Sequence, residues 1–162
     1  MKRRTLLLGG AAGALGLGAL LRPRDTGSNH SEYFRSLSGA LDSAELSKPM
    51  LVVDRARLQA NIQTLLSHIG DRFAYRIVVK SLPSVPLLET VMRASGSNRL
   101  MVFHQPFLNR VAVQFPQADI LLGKPMPVAA AHNFYREFPG GAFEPGRQLR
   151  WLLDTPERVA QY

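Results

Sequence analysis

Residues 75–80 read YRIVVK, and residues 85–95, shortly after them, read VPLLETVMRAS. The first run is rich in Val and Ile, which is typical of strands that are buried on both faces of a parallel sheet. The second run has the apolar spacing of a helix, and Pro83 precedes it, where a proline is tolerated near a helix start. Together the two runs predict a strand that ends at Lys80 and is followed by a helix.

The same alternation of an apolar run and a helical run occurs five times. In residues 55–69, for example, apolar side chains recur at steps of four and three, which aligns them on one helix face. The helical runs are residues 55–69, 85–95, 105–115, 127–138 and 155–162. The predicted strands that precede them are MLVVD (50–54), YRIVVK (75–80), RLMVF (99–103), DILLG (119–123) and LRWLLD (149–154).

Five successive strand–helix units predict an α/β fold, either a doubly wound sheet or part of an eight-stranded barrel. The stretch LVVDRARLQAN at residues 51–61 lacks the glycines of a phosphate-binding loop, which disfavours a dinucleotide-binding sheet. We therefore expect residues 48–162 to form a partial (β/α)8 TIM-type barrel of about five units. A complete barrel takes about 250 residues, so we expect a truncated domain that is inactive without the remainder of a longer enzyme.

The first 24 residues have the layout of an export signal. Basic residues at positions 2–4 precede an uncharged stretch rich in Leu, Ala and Gly, and Arg22 and Arg24 follow it. The Arg3–Arg4 pair resembles a twin-arginine signal, so we predict export to the bacterial periplasm, by a signal that is either cleaved or retained as a membrane anchor. Residues 25–47 are polar and rich in Ser and Gly, and they predict a linker with a short helix near residues 31–37.

The composition is that of one globular domain, with 46% hydrophobic and 20% charged residues. The net charge of +8 comes largely from the amino-terminal segment, because residues 25–162 carry fifteen basic and twelve acidic side chains. That part has no basic stripe or run of like charges, so no nucleic-acid partner is expected. The chain has no cysteine, which excludes disulfides, thiolate metal sites and a cysteine nucleophile.

Lysine is scarce in the predicted domain. After residue 24 the chain has twelve arginines but only three lysines, Lys48, Lys80 and Lys124. A guanidinium stays protonated, whereas a partly desolvated ε-amine can lose its proton and attack a carbonyl group. Lys80 is therefore a candidate nucleophile, and the alternative is a lysine that extends from a strand end into solvent.

Three segments together resemble the alanine racemase-like (fold type III) family of pyridoxal-phosphate enzymes, most closely its D-threonine aldolase and D-serine dehydratase branch. They are KPMLVVDRARLQANI (48–62), YRIVVKS (75–81) and DILLGKPM (119–126). The branch's cofactor lysine lies in a pattern close to Arg-Pro-His-x-Lys-Thr-His. Arg76 and Lys80 match its arginine and lysine, and Ser81 stands for its threonine. In the first segment the branch pattern is matched by Pro49, Leu51, Asp54, Leu58, Asn61 and Ile62.

The resemblance implies the alanine racemase type of amino-terminal barrel. It also implies that Lys80 is the catalytic, Schiff-base lysine that carries pyridoxal 5′-phosphate. His104 and Lys124, at the ends of the third and fourth predicted strands, are further cofactor-binding candidates. The substrate would be a D-amino acid that undergoes racemisation, aldol cleavage or elimination, and a homodimer is compatible with this class.

Departures from the family pattern leave the reaction open. Ile77, Val78 and Leu82 replace a proline and two histidines of the pattern, so polar groups near the cofactor are lost. The alternative function is therefore a non-catalytic barrel that binds pyridoxal phosphate or a small anion and is tethered at the membrane.

Other polar residues have simpler interpretations. Arg76 begins its predicted strand, far from the catalytic end, which favours packing or a salt bridge. Asp54 and Asp154 each precede a helix, where a cap explains them as well as catalysis does. The four histidines (30, 68, 104 and 132) share no metal-ligand spacing, and there is no G-x-S-x-G motif, so neither a metal site nor a serine hydrolase is expected.

Overall fold

The computed structural model describes residues 27–81 and 84–162, so the predicted export signal lies outside the described residues. The described residues belong to two units, one that ends at Leu51 and one of residues 52–162. In the first unit, helix α1 (Glu32–Ser43) has no buried residue. The short helix predicted near residues 31–37 is present. It continues to Ser43, through residues for which the sequence predicts a linker. No described helix is long and apolar enough to span a membrane.

The second unit alternates helices with short strands, which confirms the predicted α/β class. Its helices are α2 (Arg55–Ile69), α3 (Val85–Ser95), α4 (Gln105–Gln114), α5 (Val128–Glu137), α6 (Pro145–Gln148) and α7 (Pro156–Gln161). Its strands are β1 (Ile77–Val78), β2 (Arg99–Val102), β3 (Asp119–Leu122) and β4 (Leu149–Arg150). Single turns of 3-10 helix, Gly70–Arg72 and Val79–Ser81, lie on either side of β1.

The four strands form one parallel sheet in the sequential order β1-β2-β3-β4. Leu100 in β2 aligns with Ile77 in β1 and with Ile120 in β3, and Ile120 aligns with Leu149 in β4. The order does not reverse among these strands, as it would at the centre of a doubly wound sheet. Closure into a barrel stays a prediction.

One face of the sheet is covered by helices. Leu100 and Val102 of β2, and Ile120 and Leu122 of β3, have no exposed surface. Burying a side chain of this kind stabilises the folded state by about 1.5–3 kcal/mol, so this layer supplies much of the unit's stability. The four strand side chains form one core with side chains of helices α2 to α5. The helix members are Ile62, Leu88, Val91, Leu108, Val111 and Phe134.

The intervening side chains point to the opposite face, because side chains alternate along a strand. We call this the second face, and its side chains are only half-buried or exposed. Arg99 and Asp119 lie at its amino end, Arg150 is level with Met101 and Leu121, and Phe103 and Gly123 lie at its carboxyl end. Its members are Val78, Arg99, Met101, Phe103, Asp119, Leu121, Gly123 and Arg150.

The predicted first strand, residues 50–54, is wrong. These residues form no strand, and Leu51 is 84% exposed. Strand β1 is hydrogen-bonded only to β2, so no described strand pairs with residues 50–54. An apolar run forms a strand only where a neighbour satisfies its backbone groups. The cap interpretation of Asp54 is confirmed, since its carboxylate accepts the backbone N–H of Arg57 at 3.0 Å.

Strands β1 and β4 are much shorter than predicted, whereas β2 and β3 each lack only the last predicted residue. The strand predicted over residues 75–80 is confined to Ile77–Val78, and the one over residues 149–154 to Leu149–Arg150. Lys80 therefore lies in the turn after β1 and is not the last residue of a strand. Thr155, rather than Asp154, caps α7, because its hydroxyl accepts the backbone N–H of Arg158 at 3.3 Å.

Arg76 joins three strands at the amino end of the sheet. Its Nη1 donates to the backbone carbonyls of Leu100 at 3.0 Å and of Asp119 at 2.8 Å. Its Nη2 lies 2.8 Å from the Asp119 carboxylate, which is also 3.6 Å from Arg150. The salt bridge predicted for Arg76 is confirmed.

Replacing Arg76 with alanine should lower the free energy of unfolding by about 2 kcal/mol, because it removes two hydrogen bonds to backbone carbonyls and takes the main cation from a half-buried carboxylate. Urea unfolding of the two proteins measures the difference. Arg93→Ala is the matched control: Arg93 and its partner Glu89 are 76% and 59% exposed, so the loss should be about 0.5 kcal/mol or less. Equal losses for the two variants would contradict the role given to Arg76.

Candidate functional site

Lys80 and Phe103 meet at the carboxyl end of the sheet. Lys80 lies in the turn that follows β1, and Phe103 directly follows β2. The Lys80 Nζ lies 4.3 Å from the centroid of the Phe103 ring, which is within the range of a cation–π contact. The ring therefore covers one side of the amine, while the lysine as a whole stays exposed to solvent.

Gly123 leaves the space that the Phe103 ring occupies. A Cβ at position 123 would meet ring atoms of Phe103 and would lie 2.8 Å from Cγ of Met101. Real Cβ atoms do not approach other carbon atoms so closely. A residue with a side chain at this position would push the ring out of its place beneath Lys80.

His104 begins helix α4. Its backbone is extended, with φ −157° and ψ 152°, and its Nδ1 accepts the backbone N–H of Phe107 at 3.2 Å. Because Nδ1 accepts this hydrogen bond, Nε2 is the ring nitrogen that can act as a donor. His104 thus caps the helix with one nitrogen and retains the other as a donor.

A buried amide holds the start of α4 in place. Gln105, which follows His104, is only 8% exposed. Its Nε2 donates to Asn109 Oδ1 within α4 and to Glu137 Oε2 at the end of α5, each at 2.8 Å. The bond to Glu137 ties the first turn of α4 to α5, and the position of His104 follows from it.

Lys80, Phe103, His104 and Phe107 line one cleft of about 240 Å³. We call it the Lys80 cleft. It brings together two of the three predicted site residues, whereas Lys124 is exposed and lies outside its lining. Within the described part of the chain, no group of three or more His, Asp or Glu side chains could hold a metal ion.

Sequence reasoning missed the two aromatic walls of this cleft. Phe103 and Phe107 flank His104 in the stretch FHQPF at residues 103–107. The sequence does contain a signal for them. A strand end followed directly by a helix start brings residues 103, 104 and 107 to the same side of this strand–helix junction. Only the position of Lys80 above Phe103 shows that they belong to the same cleft.

The side chains of the Lys80 cleft fit pyridoxal phosphate by their chemistry. An amine can attach to an aldehyde, and phenyl rings can pack against a planar heteroaromatic ring. The imidazole can donate a hydrogen bond, and the lining contains no carboxylate that would repel a phosphate. Lys80 would hold the aldehyde carbon, and Phe103, Phe107 and His104 would contact the ring.

Comparisons of this chain with protein-family models, with curated proteins and with solved structures find no match.

Replacing Gly123 with alanine should displace the Phe103 ring and lower the free energy of unfolding by about 1–3 kcal/mol, because a methyl group is forced into occupied space. Urea unfolding measures the change. Gly146→Ala is the control, since a Cβ at Gly146 meets nothing within 4 Å. A Gly123→Ala protein as stable as the Gly146→Ala protein would contradict the packing described.

Proposed function

We propose that this chain is part of a pyridoxal-phosphate enzyme of the alanine racemase-like class, which acts on D-amino acids by racemisation, aldol cleavage or elimination. The observation that carries the proposal is the shared lining of the Lys80 cleft, where a lysine amine, an imidazole and two phenyl rings meet beside the carboxyl ends of β1 and β2. Ligands of parallel α/β folds bind at that end of the strands.

The proposed fold extends the observed sheet. Sequential order and parallel pairing are the features of a barrel sector, in which every strand turns its carboxyl end to the same mouth. We propose a TIM-type barrel of the alanine racemase amino-terminal type, to which these strands contribute part of the wall. The half-exposed second face would then point to the barrel interior.

Each lining residue has a role in the proposal. When bound, pyridoxal phosphate supplies the electron sink for the bond that breaks at the substrate Cα. Lys80 is the amine of attachment, and the Phe103 ring shields one side of that amine from water. His104 offers Nε2–H to an oxygen of the cofactor or of the substrate, and Phe107 limits the movement of the ring.

We also propose where the protein acts. The signal-like residues 1–24 support export to the periplasm, with either release or membrane attachment through that segment. The partner is a small amino-acid substrate, and association into a homodimer is part of the same proposal.

A second candidate function is binding without catalysis. The Lys80 cleft has no carboxylate or second amine in its lining, and Val78, which replaces a family histidine, presents an apolar side chain that is 36% exposed. Leu82, the other replacement, lies outside the described residues. A chain that attaches pyridoxal phosphate at Lys80 and leaves every member of a D-amino-acid panel unchanged would favour this second function.

Borohydride reduction of the chain in the presence of pyridoxal phosphate should mark Lys80, because its amine is the one placed in an aromatic cleft. Peptide mass mapping after proteolysis separates Lys80 from Lys48 and Lys124, which lie in different parts of the sequence. Lys80→Arg should abolish the visible absorbance of the bound cofactor and the label.

Lys124→Arg is the matched control for that experiment, since Lys124 is also exposed and follows a strand of the same sheet. It should keep both the absorbance and the label. Loss of the label in the Lys124 variant, or its survival in the Lys80 variant, would sink the assignment.

A further inference from the structure

Helix α1 (Glu32–Ser43) carries its large apolar side chains on one side. Leu37 follows Tyr33 and Phe34 at intervals of four and three residues, and Leu41 follows Leu37 at an interval of four. These intervals align the side chains along the helix. We call this side, which also includes Ala40, the apolar face of α1. No residue of the helix is buried, and Phe34 is 51% exposed, so the apolar face has no core of its own to cover it.

Aromatic rings gather at the amino end of the apolar face. The rings of Tyr33 and Phe34 meet edge to face at 5.1 Å, and the ring of His30 lies 6.3 Å from that of Phe34. Arg35 donates from Nη1 to the His30 carbonyl at 3.0 Å, which holds the residues before the helix against its first turn. Amphipathic rings such as that of tyrosine are enriched where a membrane meets water.

The opposite side of α1 is polar but carries little charge. Its small residues are Ser36, Ser38, Gly39 and Ser43. Its charged residues are one arginine and two acids, and Arg35 and Glu32 form an ion pair of 2.6 Å. The strength with which an amphipathic helix binds a surface depends on the apolar area that it buries and on its charge. In α1 the charge contributes little, so a partner must be recognised through apolar contact.

The sequence before α1 brings the helix close to a bilayer. Residues 5–20 are the uncharged stretch of the predicted export signal. When that stretch is retained in the membrane, residues 21–31 extend over at most about 40 Å, so the helix stays near the surface. Such a tether gives the helix a high effective concentration at the lipid, and a weak apolar contact is then enough to dock it.

We propose that the apolar face of α1 lies in the lipid–water interface, with the helix axis parallel to the bilayer surface. The inference rests on the membrane attachment named under the proposed function and deepens it, because it adds a second contact beside the anchor. The helix is about 18 Å long and the hydrocarbon core about 30 Å thick, so α1 does not span it. Only the parallel orientation places all the apolar side chains in lipid. Stable attachment generally takes two such signals.

Spin labels on single cysteines in the full chain test the orientation, because the chain has no cysteine of its own. Leu37→Cys places the label on the apolar face. Gly39→Cys is the matched control, since two residues along a helix correspond to a turn of about 200°. A Cβ at Gly39 meets nothing within 4 Å, so a side chain fits there. Electron paramagnetic resonance measures how often each label collides with oxygen, which concentrates in lipid, and with a water-soluble nickel complex.

Phosphatidylcholine vesicles are the probe, since they carry no net charge that would attract the basic residues of the export signal. On addition of vesicles, the Leu37→Cys label should lose most of its accessibility to nickel and gain accessibility to oxygen, because the apolar face enters the interface by about 5–10 Å. The Gly39→Cys label should stay accessible to nickel. Both proteins should keep the wild-type melting temperature, because neither position is buried.

Three results would overturn the proposal. Chains that sediment with the vesicles while both labels stay accessible to nickel show that the export signal alone holds them. A Leu37→Cys label that is already protected without vesicles shows that the apolar face packs against protein. Chains that do not sediment with vesicles remove the membrane attachment together with the role of α1. Borohydride labelling of Lys80 in the same two variants is independent of all three results, so it reports separately on the proposed enzyme.

Discussion

The parallel pairing of β1, β2 and β3 in sequential order is the constraint on which the rest of the second unit depends. Parallel pairing brings the carboxyl ends of all three strands to one edge, and the aligned register of Ile77, Leu100 and Ile120 sets how far each strand end extends. The helix-covered face supplies the apolar burial that holds this register. At the amino end, Arg76 ties β1 to β2 and β3 through two carbonyls and one carboxylate.

The opposite edge of the sheet has the chemistry of a ligand site. At the amino end Asp119 pairs with Arg76 and Arg150, whereas the Lys80 amine at the carboxyl end contacts a phenyl ring. Two phenyl rings and an imidazole line the cleft beside this amine, so the cleft combines a positive charge with apolar walls. The proposed cofactor, a planar anion with a reactive carbonyl, would use both features.

Periodicity predicted most of the architecture. The α/β class and the positions of α2 to α5 follow from apolar spacing, since these helices bury one face against the sheet. The failure at residues 50–54 has a physical cause: the run is apolar, but no described strand pairs with it. Strands β1 and β4 also end earlier than predicted. A strand is defined by its hydrogen bonds to a neighbouring strand, and composition alone does not show where those bonds stop. Lys80 and His104 could be predicted from the sequence because each lies at or near the end of an apolar run. Phe103 and Phe107 could not, because their importance lies in packing between elements, which spacing along the chain does not reveal.

The central claim is that strand order makes Lys80 the reactive amine and sets the walls of the surrounding cleft. A crystal structure of the chain after borohydride reduction with pyridoxal phosphate tests this most directly. The account predicts one covalent adduct, on Lys80 Nζ, with its ring in contact with Phe103 and Phe107. An adduct on Lys124, or one on Lys80 that turns away from both phenyl rings into solvent, would contradict it.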